Sequence, residues 1–412
     1  MNAEIVAVGS ELLTAGRLDT NSLWLTDQLN DLGVEVVQKA VIGDERARLT
    51  AGVQDALARA DILFVTGGLG PTEDDLTRDA VAAATGRELI FDEAICAGIE
   101  ARFARFGRRM SEVNKRQAYV IEGAEVLANA NGTAPGQWLA VNGKAVVLLP
   151  GPPGELKPMF TRECLPRLQA FVPPLAIAKR WFRVAGMPES DLDQLIAPEY
   201  TKYSNPVTTI LASAGDVEIH LRARCATGEE AERLCTELGD KILGLLGSRA
   251  YSLDGTPLDA TVGRILGERG ETVAVAESAT GGMLAQRLTR VAGSSKYFVG
   301  GFLTYSDEAK AKLLGVPEEL IAANTAVSEV VAAWMAANAR EKTGATWALS
   351  VTGEAGPESA TGAPVGTMYV GLAGPSGTEV KLLRFGGDRE RIRGFVTNAA
   401  LNFLRMRLLG LD

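Results

Sequence analysis

Few side chains in this chain could act as nucleophiles, acids or bases in the usual partnerships. One histidine, His220, serves 412 residues. The four cysteines, Cys96, Cys164, Cys225 and Cys235, include no pair at the spacing of a metal site, a redox motif or a disulfide framework. Hydrolysis at any site away from His220 therefore needs either a serine assisted by lysine or tyrosine, or carboxylates with a metal ion. One segment has the residues for the first solution. In AESATGG (276–282), Ser278 stands between an apolar run and a helix start, and the amides of Gly281 and Gly282 suit an oxyanion or a phosphate. The segment lacks the flanking glycines of a strained nucleophile elbow, and read alone Ser278 is a helix N-cap. The surroundings change that reading. Tyr305, Asp307 and Lys310 follow the next strand in TYSDEAKAKLLG (304–315). TGEAGP (352–357), with Thr352, Gly353 and Gly356, follows the strand after that, and PVGT, ending at Thr367, precedes another. Such strand-end loops converge on one crevice. There a lysine of depressed pKa, Lys310, or the phenol of Tyr305 would activate Ser278 and Thr280 would help line the site. The plain alternative for Lys310 is a solvated helix residue beside Lys312.

A second segment suits phosphate chemistry. In TGGLGPTEDDLT (66–77), Gly67, Gly68 and Gly70 let the backbone approach a ligand, while Thr66, Thr72 and the amides offer donors. Asp74 and Asp75 suit a hard divalent cation bridging protein to phosphate. The segment is neither a Walker loop nor a full dinucleotide fingerprint. Three further turns could join it: Gly9 and Glu11 in Gly9-Ser10-Glu11, Asn21 in Asp19-Thr20-Asn21, and Gly151 and Glu155 in PGPPGE (150–155).

These loops need a scaffold, and the hydropathy pattern supplies one. Strands at Ile5–Val8, Val34–Ile42 and Ile62–Thr66 alternate with helices from Asp19 or Thr20 to Leu32 and over Arg46–Ala60, which predicts parallel βαβ units. Asn142-Gly143 between two apolar runs predicts a type I′ hairpin. Pro166, Pro173 and Pro174 mark a boundary. A small α+β unit follows, in which Val217, Ile219, Leu221 and Ala223 form one face of a strand and Glu218, His220, Arg222 and Arg224 the other. His220 is therefore read as a surface strand residue. From Thr256 a second α/β pattern begins. The expected fold class is α/β: two α/β domains with mainly parallel sheets, residues 1–168 and 256–412, joined by a small α+β domain over 175–253.

Composition limits the function classes. Lys+Arg total 42 against 51 Asp+Glu, a net charge of −9, which argues against coating nucleic acid or an anionic membrane. Hydrophobic content of 46% and charged content of 23% are those of a globular protein. No apolar run reaches the roughly 18–20 residues a bilayer span needs. The opening MNAEIVAVGSELL reads as a first strand and not as a signal peptide, giving the expectation of a cytoplasmic protein.

The two motif sets, in this order, resemble the CinA (competence- and damage-inducible) family over essentially the whole chain. Its members combine a molybdopterin-binding-like domain, a KH-type domain and a nicotinamide-nucleotide amidohydrolase domain. The resemblance implies a bifunctional hydrolase of pyridine-nucleotide recycling. The C-terminal domain would deamidate nicotinamide mononucleotide to nicotinate mononucleotide and ammonia, without a cofactor. Ser278 would be the nucleophile, Lys310 with Tyr305 would handle the proton, the Gly281 and Gly282 amides or Thr352 would hold the oxyanion, and Arg389 or Arg393 would meet the 5′-phosphate. The N-terminal domain would hydrolyse ADP-ribose to AMP and ribose 5-phosphate with a divalent metal ion (Mg, Mn or Co) near Asp74 and Asp75. A homodimer is implied, with no membrane or nucleic-acid partner. Two alternatives stand beside this: a molybdopterin- or nucleotide-binding protein without pyrophosphatase activity, and a competence-linked nucleotide sensor. Two positions depart from the family pattern: Ala279 in place of a frequent cysteine, which leaves Ser278 as the nucleophile, and Glu354 where an apolar residue is usual. The middle unit has no GxxG loop between two helices, so its KH likeness does not imply RNA binding.

Overall fold

The computed structural model describes residues 1–411, which form two compact units: residues 1–177 with 224–228, and residues 178–223 with 229 onwards. The first is built on a six-stranded sheet in the order Glu35–Ile42, Asn2–Val8, Ile62–Thr66, Lys144–Leu149, Gly136–Val141, Glu125–Leu127. Its first four strands run parallel. Ile62–Thr66 is buried along its whole length. Apolar clusters cover both sheet faces, one around Ile5, Phe64 and Phe160 and one around Val6, Val65 and Leu148. That is why these strands read as continuous apolar runs. The Asp19 carboxylate accepts from the Ser22 amide and caps the helix Thr20–Asp31. Asn142 and Gly143 take φ of 50° and 79°, the left-handed pair that a two-residue hairpin demands.

The second unit contains two sheets. The smaller has the order Val207–Ser213, Asp216–Cys225, Ala176–Ala185, Ala250–Ser252, with helices Glu189–Tyr200 and Gly228–Leu246. In Asp216–Cys225 burial alternates as the pattern requires, with Val217, Ile219, Leu221 and Ala223 inside. His220 is half-buried, stacked on Trp181 and hydrogen-bonded to Glu218. Ala185 and Tyr251 of this smaller sheet sit in the same apolar cluster as Leu258, Val273 and Leu404, so the middle segment shares a core with the C-terminal one.

The larger sheet has the order Phe298–Leu303, Val273–Glu277, Trp347–Gly353, Thr367–Gly374, Gly377–Arg384. Val273–Glu277 pairs in parallel with both neighbours. The last two strands run antiparallel because only Pro375 and Ser376 connect them. The parallel half carries the strand-end loops that matter for function. All four cysteines are buried, and none forms a disulfide. No helix among the described residues is long and apolar enough to cross a membrane.

Candidate active site

Val273–Glu277 is the central parallel strand, and the chain leaves it at Ser278, whose amide donates to the Val351 carbonyl at 2.9 Å. Gly281 and Gly282 (φ 59° and 94°) then turn the chain into the helix Met283–Thr289. Capping of that helix falls to Glu277. Its carboxylate, on a residue 1% exposed, accepts from the amides of Gly282 (3.1 Å), Leu284 (2.9 Å) and Ala285 (2.8 Å). This corrects two expectations. Ser278 is not the N-cap, so its hydroxyl is free of that duty. The Gly282 amide is taken by Glu277 and the Gly281 amide donates to the Ser278 carbonyl at 3.0 Å, so neither is available to an oxyanion.

The neighbouring strand extends the pairing by one residue: the Thr304 amide donates to the Glu277 carbonyl at 2.8 Å, which sets Thr304 beside the start of the Ser278 loop. From there the chain passes Tyr305 and enters the helix Asp307–Leu314, capped by the Ser306 hydroxyl. Lys310 is 2% exposed, whereas Lys312 is in solvent and paired with Glu308. The solvated-helix reading thus fits Lys312 and not Lys310. The Lys310 ammonium meets Asp307 at a loose 3.4 Å. Burial pushes its pKa down, and Asp307 opposes this without cancelling it.

Tyr305 is exposed, and its hydroxyl accepts from Arg389 Nη2 at 2.7 Å. Arg389 Nη1 donates to the Gly356 carbonyl at 2.6 Å. The start of the last helix is thereby tied to two strand-end loops. Arg393, one turn on, donates from Nη2 to the Thr280 carbonyl at 2.7 Å and pairs with Glu390, leaving Nε buried without a partner. Thr352 corrects another expectation: its hydroxyl donates to the Ala326 carbonyl at 2.8 Å and is not free for an oxyanion. In these strand-end loops the hydroxyls buried without a partner are instead those of Thr280 and Thr304. Thr304 has no sequence signal, because a threonine just past the end of a strand has no distinctive spacing. Gly353 and Thr367 act through the backbone. A side chain at Gly353 would run into the Thr367 carbonyl, which accepts from the Glu354 amide at 2.9 Å. The Glu354 carboxylate accepts from the Ala360 and Thr361 amides at 3.1 and 2.8 Å and from the Thr361 hydroxyl at 2.7 Å, so this departure from the apolar pattern fastens the loop above the site.

In the first unit, a cavity of about 340 Å³ lies at the carboxyl ends of the parallel strands. Its walls include Gly9, Glu11, Gly67, Gly68, Gly70, Asp74, Asp75, Gly151 and Glu155, as the loops predict, together with Asp44 and Gln117. The Gln117 side-chain oxygen is buried without a partner. Asn21, Thr66 and Thr72 do not line it. Asn21 donates to the Gly151 carbonyl at 2.6 Å and steadies that loop, while Thr66 is buried in its strand. Arg78, whose place in a helix carries no motif, is buried beneath the glycine loop and donates to the Leu69 and Gly70 carbonyls at 2.7 and 2.9 Å. The expected cation site rests on Asp74 and Asp75, both in this wall. Asp75 accepts from the Thr72 amide and hydroxyl at 2.8 and 2.6 Å, and among the described residues no three acidic, histidine or cysteine side chains converge as a metal site would need. Asp74 and Asp75 alone do not fit a resident divalent ion.

Comparison with known proteins covers the whole chain. Residues 255–408 match the CinA C-terminal domain, residues 4–170 the probable molybdopterin binding domain, and residues 179–252 the damage-inducible protein CinA KH domain. A CinA-like protein of Solibacter usitatus is 57% identical over 411 residues, spanning 100% of this chain and 99% of that one. A CinA-like protein of Koribacter versatilis is 46% identical, spanning 99% and 100%. Among solved structures, competence damage-inducible protein A of Klebsiella pneumoniae is 36% identical, over 38% of this chain and 97% of that chain, with a TM-score of 0.37.

Proposed function

The chain belongs to the CinA family, and from that premise we propose that its C-terminal domain is a serine amidohydrolase converting nicotinamide mononucleotide to nicotinate mononucleotide and ammonia. One observation carries the reading. Ser278 is relieved of helix capping by Glu277, and a buried lysine of lowered pKa sits on the helix after the adjoining strand. A neutral amine is a base, and it can activate a serine in a domain without histidine.

In the proposed reaction the Ser278 hydroxyl attacks the carboxamide carbon and its proton passes to Lys310. The amide oxygen takes the negative charge, with the unpartnered hydroxyls of Thr280 and Thr304 as its candidate donors. The proton returns to the leaving nitrogen, ammonia departs, and water then cleaves the acyl-serine ester with the same lysine as base. Arg389 and Arg393 stand ready for the 5′-phosphate, Arg393 with an unused Nε. Incubation with nicotinamide mononucleotide, followed by chromatography and ammonia detection, tests this: the acid and ammonia should appear in equal amounts. An unchanged nucleotide would overturn it.

For the first unit we propose hydrolysis of ADP-ribose to AMP and ribose 5-phosphate. Support comes from the cavity and its glycine-lined loop. Carboxylates in its wall oppose a diphosphate, so a divalent ion would have to arrive with the nucleotide. The lack of a preformed acidic cluster favours a second reading, binding of a pterin or nucleotide without hydrolysis. Calorimetry with ADP-ribose and with a pterin monophosphate, beside product analysis, separates the two.

A further inference from the structure

The second unit holds a cavity of about 660 Å³ where the strand Ala250–Ser252 meets the helices Leu258–Arg269 and Arg389–Leu408, apart from the Ser278 loop. Its volume is within the ordinary range for small-molecule sites and well above what a bare phosphate fills. Leu243, Leu253, Leu409 and Leu411 give it apolar walls, and Arg405 lies among its lining residues.

Arg405 is 2% exposed, yet no carboxylate among the described residues pairs with it. Its Nη2 donates to the Ser248 carbonyl at 2.8 Å and its Nε to Asn402 Oδ1 at 3.0 Å; the Met406 sulfur and the Tyr251 ring lie against it as well. Neutral acceptors orient a guanidinium without neutralising it. Burying an uncompensated charge is costly, and a methionine would fill the same space without that cost. The other charged groups in the wall do not answer Arg405. Arg264 is paired with Glu268, and the Asp254 carboxylate is turned into its own loop, accepting from the Ser252 hydroxyl at 2.8 Å and the Thr256 amide at 2.9 Å.

We propose that this cavity binds a small phosphomonoester, with Arg405 as the phosphate anchor and the leucine walls holding the organic part. The site is independent of the amidohydrolase reading. A planar, fork-shaped guanidinium suits a phosphate, and the apolar volume beyond it favours an ester over the free ion.

Equilibrium dialysis of the full chain against AMP, at fixed ionic strength, tests this, because other sites that take AMP contribute equally to wild type and variants. The wild type should bind one more AMP per chain than Arg405→Gln, and inorganic phosphate should compete for that extra site. Leu409→Trp, which fills the cavity and leaves Arg405 in place, should lose the same single equivalent; if Arg405→Gln fails to fold, this variant decides alone. Ammonia release should be unchanged in both. Equal AMP stoichiometry in wild type and variants would overturn the proposal, and so would an Arg405-dependent site that takes phosphate but excludes AMP.

Discussion

Glu277→Gln should loosen the nucleophile loop without changing its shape. The carboxylate holds three helix amides, two on Oε2 and one on Oε1. A glutamine keeps one oxygen and turns an NH2 group toward amides that need an acceptor. Charge-assisted hydrogen bonds contribute about 1.5–3 kcal/mol each, and they are not additive here because they share one carboxylate. Losing the equivalent of one gives about 2 kcal/mol, which is about a 30-fold change in a local opening equilibrium. Native-state hydrogen exchange reads this directly. Protection of the Gly282, Leu284 and Ala285 amides should fall about 30-fold, while amides of the buried strand Trp347–Gly353 keep theirs. Ammonia release should fall as well, since Ser278 is the next residue and its loop ends at those amides. Unchanged protection at the three amides would refute the assignment of Glu277 as the cap and, with it, the explanation of why the Ser278 hydroxyl is free.

Lys310 gives a pH test. Burial lowers its pKa, so below the free-lysine value of 10.5 the unfolded chain binds the more protons. Stability contributed at this site therefore rises with pH up to about 10.5, and Lys310→Met should flatten that slope in urea titrations read over the pH range. The same variant should abolish ammonia release, and in wild type the rate should rise with pH as the amine loses its proton. Arg389→Lys cannot span both the Tyr305 hydroxyl and the Gly356 carbonyl, so KM for nicotinamide mononucleotide should rise about tenfold in steady-state assays. Asp75→Asn should perturb the glycine loop through its two Thr72 bonds, and Asp74→Asn, whose carboxylate also meets Thr72, should perturb it less; circular dichroism and ADP-ribose turnover, with and without a chelator, separate a scaffold role from a ligand role.

The frame was legible because its signals are local. Ile62–Thr66 and Val273–Glu277 are short apolar runs ending in glycine-containing loops, and both are buried parallel strands. Asn142-Gly143 requires two left-handed residues and takes them. The site was legible as a set of loops but not as a network. Nothing in the spacing distinguishes Glu277 as a cap from Ser278 as a cap, since both precede the helix; the outcome depends on which side chain reaches the amides. Lys310 and Lys312 look alike in sequence and differ only in which face of their helix the core covers. The family resemblance implies an oxyanion role for Thr352, but its hydroxyl meets Ala326, 26 residues away in the chain, a contact only the fold creates. Arg78 and Arg405 are hidden for the same reason: an arginine in a helix reads as a surface residue until its neighbours are known.

The most direct test of the central claim is ammonia release from nicotinamide mononucleotide by Ser278→Ala, measured beside wild type at the same protein concentration. Removing a covalent nucleophile should lower the rate by about a thousandfold or more, with the fold intact by circular dichroism. A Ser278→Ala protein that still releases ammonia within about tenfold of the wild-type rate would contradict the account.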